Sequence, residues 1–218
     1  MSKRFIKSHP TIVMLAAACK AQRINAGYYS STNYVSANDP NPNVKETNVN
    51  LMFKYLEDTN ELTQEDYDMA EKVKAFYAGK IFKMLGGGYI NDFDKKVISL
   101  LEEEDINSNH VGIIASLPRS YKVGSERDQV EQRIKFANGG YIGKVDDKVT
   151  LDVEVLRSVY SHNYNVYFVT VITDSDQVVF FSHKVGLTPK TKIQIKGTVK
   201  RHVDNSTTQL NRVKITKE

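Results

Sequence analysis

Two rhythms of apolar residues divide this chain. Over roughly the first 140 residues apolar side chains recur at spacings of three and four; over 141–218 they alternate in short runs. Ile12, Leu15, Ala16 and Cys19 fall on one helical face, with Pro10 suited to a first-turn position. Val49, Met52, Phe53 and Leu56 mark a short amphipathic helix. The best-defined helix is predicted over 63–85. Thr63 and Asp66 make an approximate capping box, Leu62 and Tyr67 are placed for a hydrophobic staple, and Gly86 ends it. Its buried stripe is expected to be Met69, Val73, Phe76, Tyr77, Ile81 and Met84. Shorter helices are predicted at 92–104, around 109–116 before Pro118, and at 125–137 behind a cap-like Ser125 and Asp128. Between these lies 28–45, rich in Ser, Asn and Pro, which reads as a mobile loop.

After Gly139-Gly140 the rhythm changes to five strand-like runs: 149–158, 165–173, 177–183, 191–201 and 209–216. In the first, Val149, Leu151, Val153 and Val155 alternate with Thr150, Asp152 and Glu154. In the fourth, Ile193, Ile195 and Val199 alternate with Gln194, Lys196, Thr198 and Lys200. The middle pair carries apolar residues on both faces. If Tyr167, Val169 and Val171 line a core, Phe168 and Ile172 face away from it, and adjacent Phe180 and Phe181 cannot both point inward. Five short strands with polar turns suit a small Greek-key barrel, of which the OB-fold is the common five-stranded form. The expected fold class is therefore α+β: a helical domain over 1–140 followed by a five-stranded, OB-like antiparallel barrel over 141–218.

Charge sharpens this division. Residues 141–218 hold 12 Lys and Arg against 8 Asp and Glu, while 1–140 hold 18 of each. Within the tail, 190–218 hold 8 basic and 2 acidic residues. A second basic cluster lies in 1–54, with 7 basic residues against 2 acidic. The stretch 57–71 between them carries seven carboxylates and no lysine or arginine. Basic ends around an acidic middle suit a protein that meets a polyanion.

The strand 2–3 face of such a barrel is where oligonucleotides usually bind. Surplus aromatics there would stack bases, at about 1–3 kcal/mol each, and neighbouring cations would hold phosphates. The predicted platform is Tyr160, Tyr164, Tyr167 and Phe168 with Arg157, joined by Phe180 and Phe181; the predicted phosphate contacts are Lys196, Lys200, Arg201, Arg212 and Lys214.

The stretches Asp-Lys-Val-Thr-Leu-Asp-Val-Glu-Val-Leu-Arg-Ser-Val-Tyr (147–160), Leu-Thr-Pro-Lys-Thr-Lys-Ile-Gln-Ile-Lys-Gly-Thr-Val-Lys-Arg-His (187–202) and Thr-Gln-Leu-Asn-Arg-Val-Lys-Ile (208–215) together resemble the OB-type modules that follow helical segments in bacteriophage-encoded DNA replication and recombination proteins. The resemblance covers about a third of the chain, its final strand pair most specifically, and the first 140 residues do not share in it. It implies a barrel that handles single-stranded DNA in a cytoplasm, the host's if the chain is phage-encoded. Bacterial single-strand-binding proteins end in an acidic recruiting tail, whereas this sequence closes on Val-Lys-Ile-Thr-Lys-Glu.

Other chemistries find little support. Cys19 is the single cysteine, so neither an intrachain disulfide nor a cysteine zinc site is expected. His9, His110, His162, His183 and His202 show no metal-ligand spacing, and Gly86-Gly87-Gly88 lacks the Lys-Ser/Thr of a phosphate loop. Glu102, Glu103, Glu104 and Asp105 are consecutive and point around a helix rather than at one ion. No apolar run approaches the ~20 residues of a membrane span. The expected function is a non-catalytic accessory protein binding single-stranded DNA, with RNA left open and no cofactor or metal. A docking subunit of a polymerase-type replication or transcription complex is the alternative. A nuclease or nucleotidyl transferase with dispersed carboxylates is a third reading.

Overall fold

The computed structural model describes residues 7–30, 46–204 and 206–217. It divides into two compact units, 1–125 and 126–218. Most of the predicted 28–45 loop (31–45) lies outside the described residues.

The first unit is built around α1 (Thr11–Asn25), which is buried on nearly every side through Met14, Leu15, Ala16, Ala17, Ala18, Cys19 and Ala21. It is thus a central helix more than an amphipathic one, and its small side chains allow close approach by α2 (Asn48–Glu57) and α3 (Gln64–Leu85). Pro10 is the residue before the helix, not its first turn. It closes β1 (Ser8–Pro10), which pairs antiparallel with β2 (Asp105–Asn107). This two-stranded ribbon interrupts a region expected to be wholly helical. The capping box of α3 is present, and a bidentate pair adds to it: Arg23 donates to Asp66 Oδ1 at 2.7 Å and Oδ2 at 3.0 Å, tying α1 to α3. The buried stripe of α3 is Ala70, Val73 and Tyr77, whereas Met69 and Met84 are exposed. At the end of α1, Asn48 is fully buried. Its side chain accepts from Asn25 Nδ2 (2.8 Å) and Tyr29 N (2.9 Å) and donates to Gly27 O (3.2 Å).

α4 spans Asp92–Glu102, as predicted to within two residues. The two helices expected on either side of Pro118 are one, α5 (Val111–Phe136). Proline inside a helix removes one hydrogen bond and crowds the carbonyl four residues back, together costing about 3 kcal/mol. Burial of Ile114, Ala115, Leu117 and Pro118 along one side holds the turns together across that gap. Ser125 is consequently mid-helix and donates to Lys122 O (3.1 Å) instead of capping.

The second unit holds the five predicted strands: β3 (Lys148–Ser161), β4 (Val166–Thr173), β5 (Val178–His183), β6 (Lys192–Val203) and β7 (Thr207–Lys217). They close into a barrel in the order β3-β4-β5-β7-β6, a form compatible with an OB-like barrel. The expectation of a purely antiparallel barrel was wrong: β5 and β7 run parallel, with Val179 opposite Thr208 and Phe180 opposite Gln209. A closed ring with an odd number of strands cannot alternate direction throughout, so one parallel pair is unavoidable. β3 serves two neighbours, pairing with β6 over its first half and β4 over its second. The register shifts between Val155 and Arg157, a bulge that bends the strand between its two partners.

Val153, Val155, Val169, Val171, Val179, Phe181, Ile193, Ile195, Val199 and Leu210 fill the barrel, joined by Ile142 from the approach to β3. Ile142 is fixed there by a hydrogen bond from its N–H to Thr208 Oγ1 at 3.0 Å. Gly139 comes so close to the β4–β5 turn that a Cβ would stand 2.1 Å from Ser175 O, so only glycine fits.

Candidate nucleic-acid interface

The pleat sorts the predicted site residues onto two faces. On β4, Tyr167, Val169 and Val171 point toward the core, leaving Phe168 and Thr170 outside; on β5, Phe181 is inside and Phe180 outside. Phe181 is fully buried and, against the expectation, has no surface to offer a ligand. Tyr167 belongs to the core side too, where it fills the space beside Gly186; a Cβ there would be 2.7 Å from its ring. Tyr160 pairs with Tyr167 across the strands, ring centroids 5.1 Å apart, and donates to Asn165 Oδ1. The expected platform therefore splits, with Tyr160 and Tyr167 on one side and Tyr164 and Phe168 on the other.

On the outer face three rings form a path. Tyr164, in the β3–β4 turn and 71% exposed, lies 5.8 Å from Phe168, which lies 5.7 Å from Phe180. This path runs into a row that crosses all five strands. Arg157 on β3 is opposite Thr170 on β4, Thr170 is opposite Phe180 on β5, Phe180 is opposite Gln209 on β7, and Gln209 is opposite Arg201 on β6. An arginine stands at each end and an aromatic ring between them. Arg201 Nε donates to Gln209 Oε1 at 2.6 Å, which fixes the guanidinium against the sheet. Among the described residues neither arginine has a carboxylate within ion-pair distance.

The row floors a groove of about 250 Å³, walled by Ile134 of α5, by Val178, and by Val203, Asp204 and Thr207 around the β6–β7 turn. That is below the ~300–1,000 Å³ of small-molecule sites and suits one planar ring better than a whole cofactor. Asp204 contributes a negative charge at one wall. Beside the groove, Arg133 of α5 grips Glu154 of β3 through two hydrogen bonds of 2.7 and 2.9 Å. Those bonds hold the Glu154 carboxyl below its ordinary pKa. Gln209 and Thr170 were not predicted for the site. Each alternates with a core neighbour as an ordinary outward residue, and only the parallel β5–β7 register brings Gln209 beside Phe180.

The remaining predicted cations lie elsewhere. Lys196, Lys200, Arg212 and Lys214 are exposed on the β6–β7 ribbon, Lys196 directly opposite Lys214, and none lines the groove. Two of the histidines make local contacts: His183 Nδ1 lies 2.9 Å from Val185 O, and His202 stacks on Tyr141 at 4.5 Å. Among the described residues no group of three His, Cys, Asp or Glu side chains could hold a metal ion, and no helix is long and apolar enough to cross a membrane. Comparisons with protein-family models, curated proteins and solved structures found no match to this chain.

Proposed function

We propose that the barrel is an OB-type module that binds single-stranded nucleic acid, DNA in the first instance, as a non-catalytic accessory factor of phage-type replication or recombination in the cytoplasm. The observation that carries this reading is the five-strand row Arg157–Thr170–Phe180–Gln209–Arg201 fed by Tyr164 and Phe168. Flat apolar rings accept the faces of unpaired bases without regard to sequence. Guanidinium groups without a carboxylate partner supply the matching contacts for phosphate oxygens. Gln209 Nε2 offers a hydrogen bond to a base edge, while Thr170, 5% exposed, lies in the floor of the groove. A duplex hides its base faces, so such a surface favours the single strand.

Titration of labelled oligo-dT with stacking and charge variants tests this division of labour. Tyr164→Ala and Phe168→Ala should weaken binding about 5- to 150-fold each while leaving the salt dependence alone, since base–aromatic stacking contributes about 1–3 kcal/mol. Arg157→Ala and Arg201→Ala should each lower the slope of log K against log salt by about 0.7. Equal changes in affinity and slope from both classes would contradict the assignment. A protein partner is the second reading, favoured by Val159, half exposed directly opposite Phe168. It predicts salt-insensitive association with a protein and no oligonucleotide binding.

A further inference from the structure

On that reading the groove accounts for Arg157 and Arg201 and leaves a larger body of positive charge unexplained. The outer face of β6 and β7, with the adjoining part of β3, carries Lys148, Lys196, Lys200, Arg212 and Lys214. All five are exposed. Among the described residues none has a carboxylate within ion-pair distance. Folding alone gives no reason for this arrangement. Lys196 and Lys214 face each other directly across an antiparallel pair, where like charges destabilise.

The backbone adds a second, independent sign. Arg212 has φ 52° and is the one described residue with a left-handed backbone inside a strand; the other non-glycine cases lie in turns or at a helix end. It occupies a bulge, with Arg212 and Val213 set against Gly197 alone between the pairs Lys196–Lys214 and Thr198–Asn211. Glycine is the usual residue at such a bulge position. An arginine held there, projecting from a bent strand, is a strained placement of the kind that gathers at binding surfaces.

The ribbon also has defined ends. At one, Arg201 and Gln209 belong to the groove. At the other, Gln194 donates to Asp152 Oδ1 at 3.0 Å and accepts from Thr216 Oγ1 at 3.0 Å, a closed network in which a carboxylate reappears. From Gln209 to Lys214 is five residues, about 17 Å of strand. No Phe, Tyr or Trp lies on β6 or β7, and the His202 ring is stacked on Tyr141.

We infer that this ribbon is a second zone of the same nucleic-acid path: a stretch that holds only the phosphodiester backbone of the strand leaving the stacking groove. The inference rests on the proposed function and divides the footprint in two. Bases are stacked over β4 and β5, and phosphates alone are held along β6 and β7. A short oligonucleotide fills the first zone; a longer one engages both.

Oligo-dT of about 5 and about 15 nucleotides, within the span of known OB-fold site sizes, is titrated against the full chain over a range of salt. The longer strand should bind more tightly and with a steeper salt slope. Lys196→Gln combined with Lys214→Gln should lower the slope for the long strand by about 1.4 and leave the short strand unchanged. Arg212→Gly should lower the long-strand slope by about 0.7 while its melting temperature stays level or rises, which separates lost binding from lost folding. Equal affinity and slope for the two lengths, or equal losses on both from the lysine pair, would overturn the second zone while the groove stands. Failure of both lengths to bind the wild-type chain would remove the groove and the ribbon together.

Discussion

Asp66 is the residue whose replacement should reveal most about how the helical unit holds together. It is 1% exposed yet ionisable, at the first turn of α3. Its carboxylate accepts from the Thr63 N–H at 3.0 Å, the Thr63 hydroxyl at 2.8 Å and the Arg23 guanidinium at 2.7 and 3.0 Å. Burial pushes its pKa up. The hydrogen bonds from Thr63 and Arg23 outweigh that, so the carboxyl titrates below its ordinary value. Asp66→Ala removes the reciprocal cap, about 1 kcal/mol. It also removes charge-assisted hydrogen bonds of about 1.5–3 kcal/mol. The second figure is discounted because the Arg23 side chain is 41% exposed and can return to water. The expected loss is about 2–3 kcal/mol. Asp66→Asn keeps the shape and one acceptor and should lose about half as much.

Urea unfolding followed by helical circular dichroism measures the difference. The pH dependence supplies a second check with a definite sign. A carboxyl whose folded pKa is depressed stabilises the fold above its unfolded value, about 3.9, and that stability is lost as pH falls through the folded value. The advantage of wild type over Asp66→Asn should therefore be full at pH 6 and shrink below about pH 4. An alanine variant within about 0.5 kcal/mol of wild type, or an advantage over asparagine that persists at the lowest pH where the chain stays folded, would refute this reasoning.

Two further outcomes follow from buried and paired groups. Burial pushes the Cys19 thiol up to about 12, so a thiol reagent at pH 8 should label the folded chain only as fast as it unfolds, and rapid labelling without denaturant would contradict its place in the core. Glu154→Gln breaks the bidentate grip of Arg133 at a partly exposed site, so urea unfolding should show a loss of about 0.5–1 kcal/mol at low salt that fades by 1 M salt; a salt-independent loss would point to packing instead.

The parts of the fold legible in the sequence are those set by neighbours along the chain. Alternation at Val149–Val155 and Ile193–Val199 places β3 and β6 to within three residues at each end, and Thr63 and Asp66 announce α3. What escaped depends on distant pairing. The β1–β2 ribbon is two three-residue strands about a hundred positions apart, too short to show a period. The continuity of α5 past Pro118 reflects burial overriding proline's local preference. Adjacent Phe180 and Phe181 required that one face out, but not which one; the pairing with Gln209 settles it. The same limit applied to the cations. Arg157 and Arg201 meet in one row only because the ring of five strands closes, while Lys196 and Lys214, equally basic in sequence, fall on another sector.

The most direct test of the central claim is fluorescence anisotropy of a labelled oligo-dT of about 30 nucleotides, titrated with the pure chain at several salt concentrations beside a duplex of equal length. Binding that prefers the single strand and weakens as salt rises, with at least the slope of about 1.4 that two phosphate contacts give, is what the row of Arg157, Phe180 and Arg201 predicts. No binding at low salt, or equal affinity for the duplex, would contradict it.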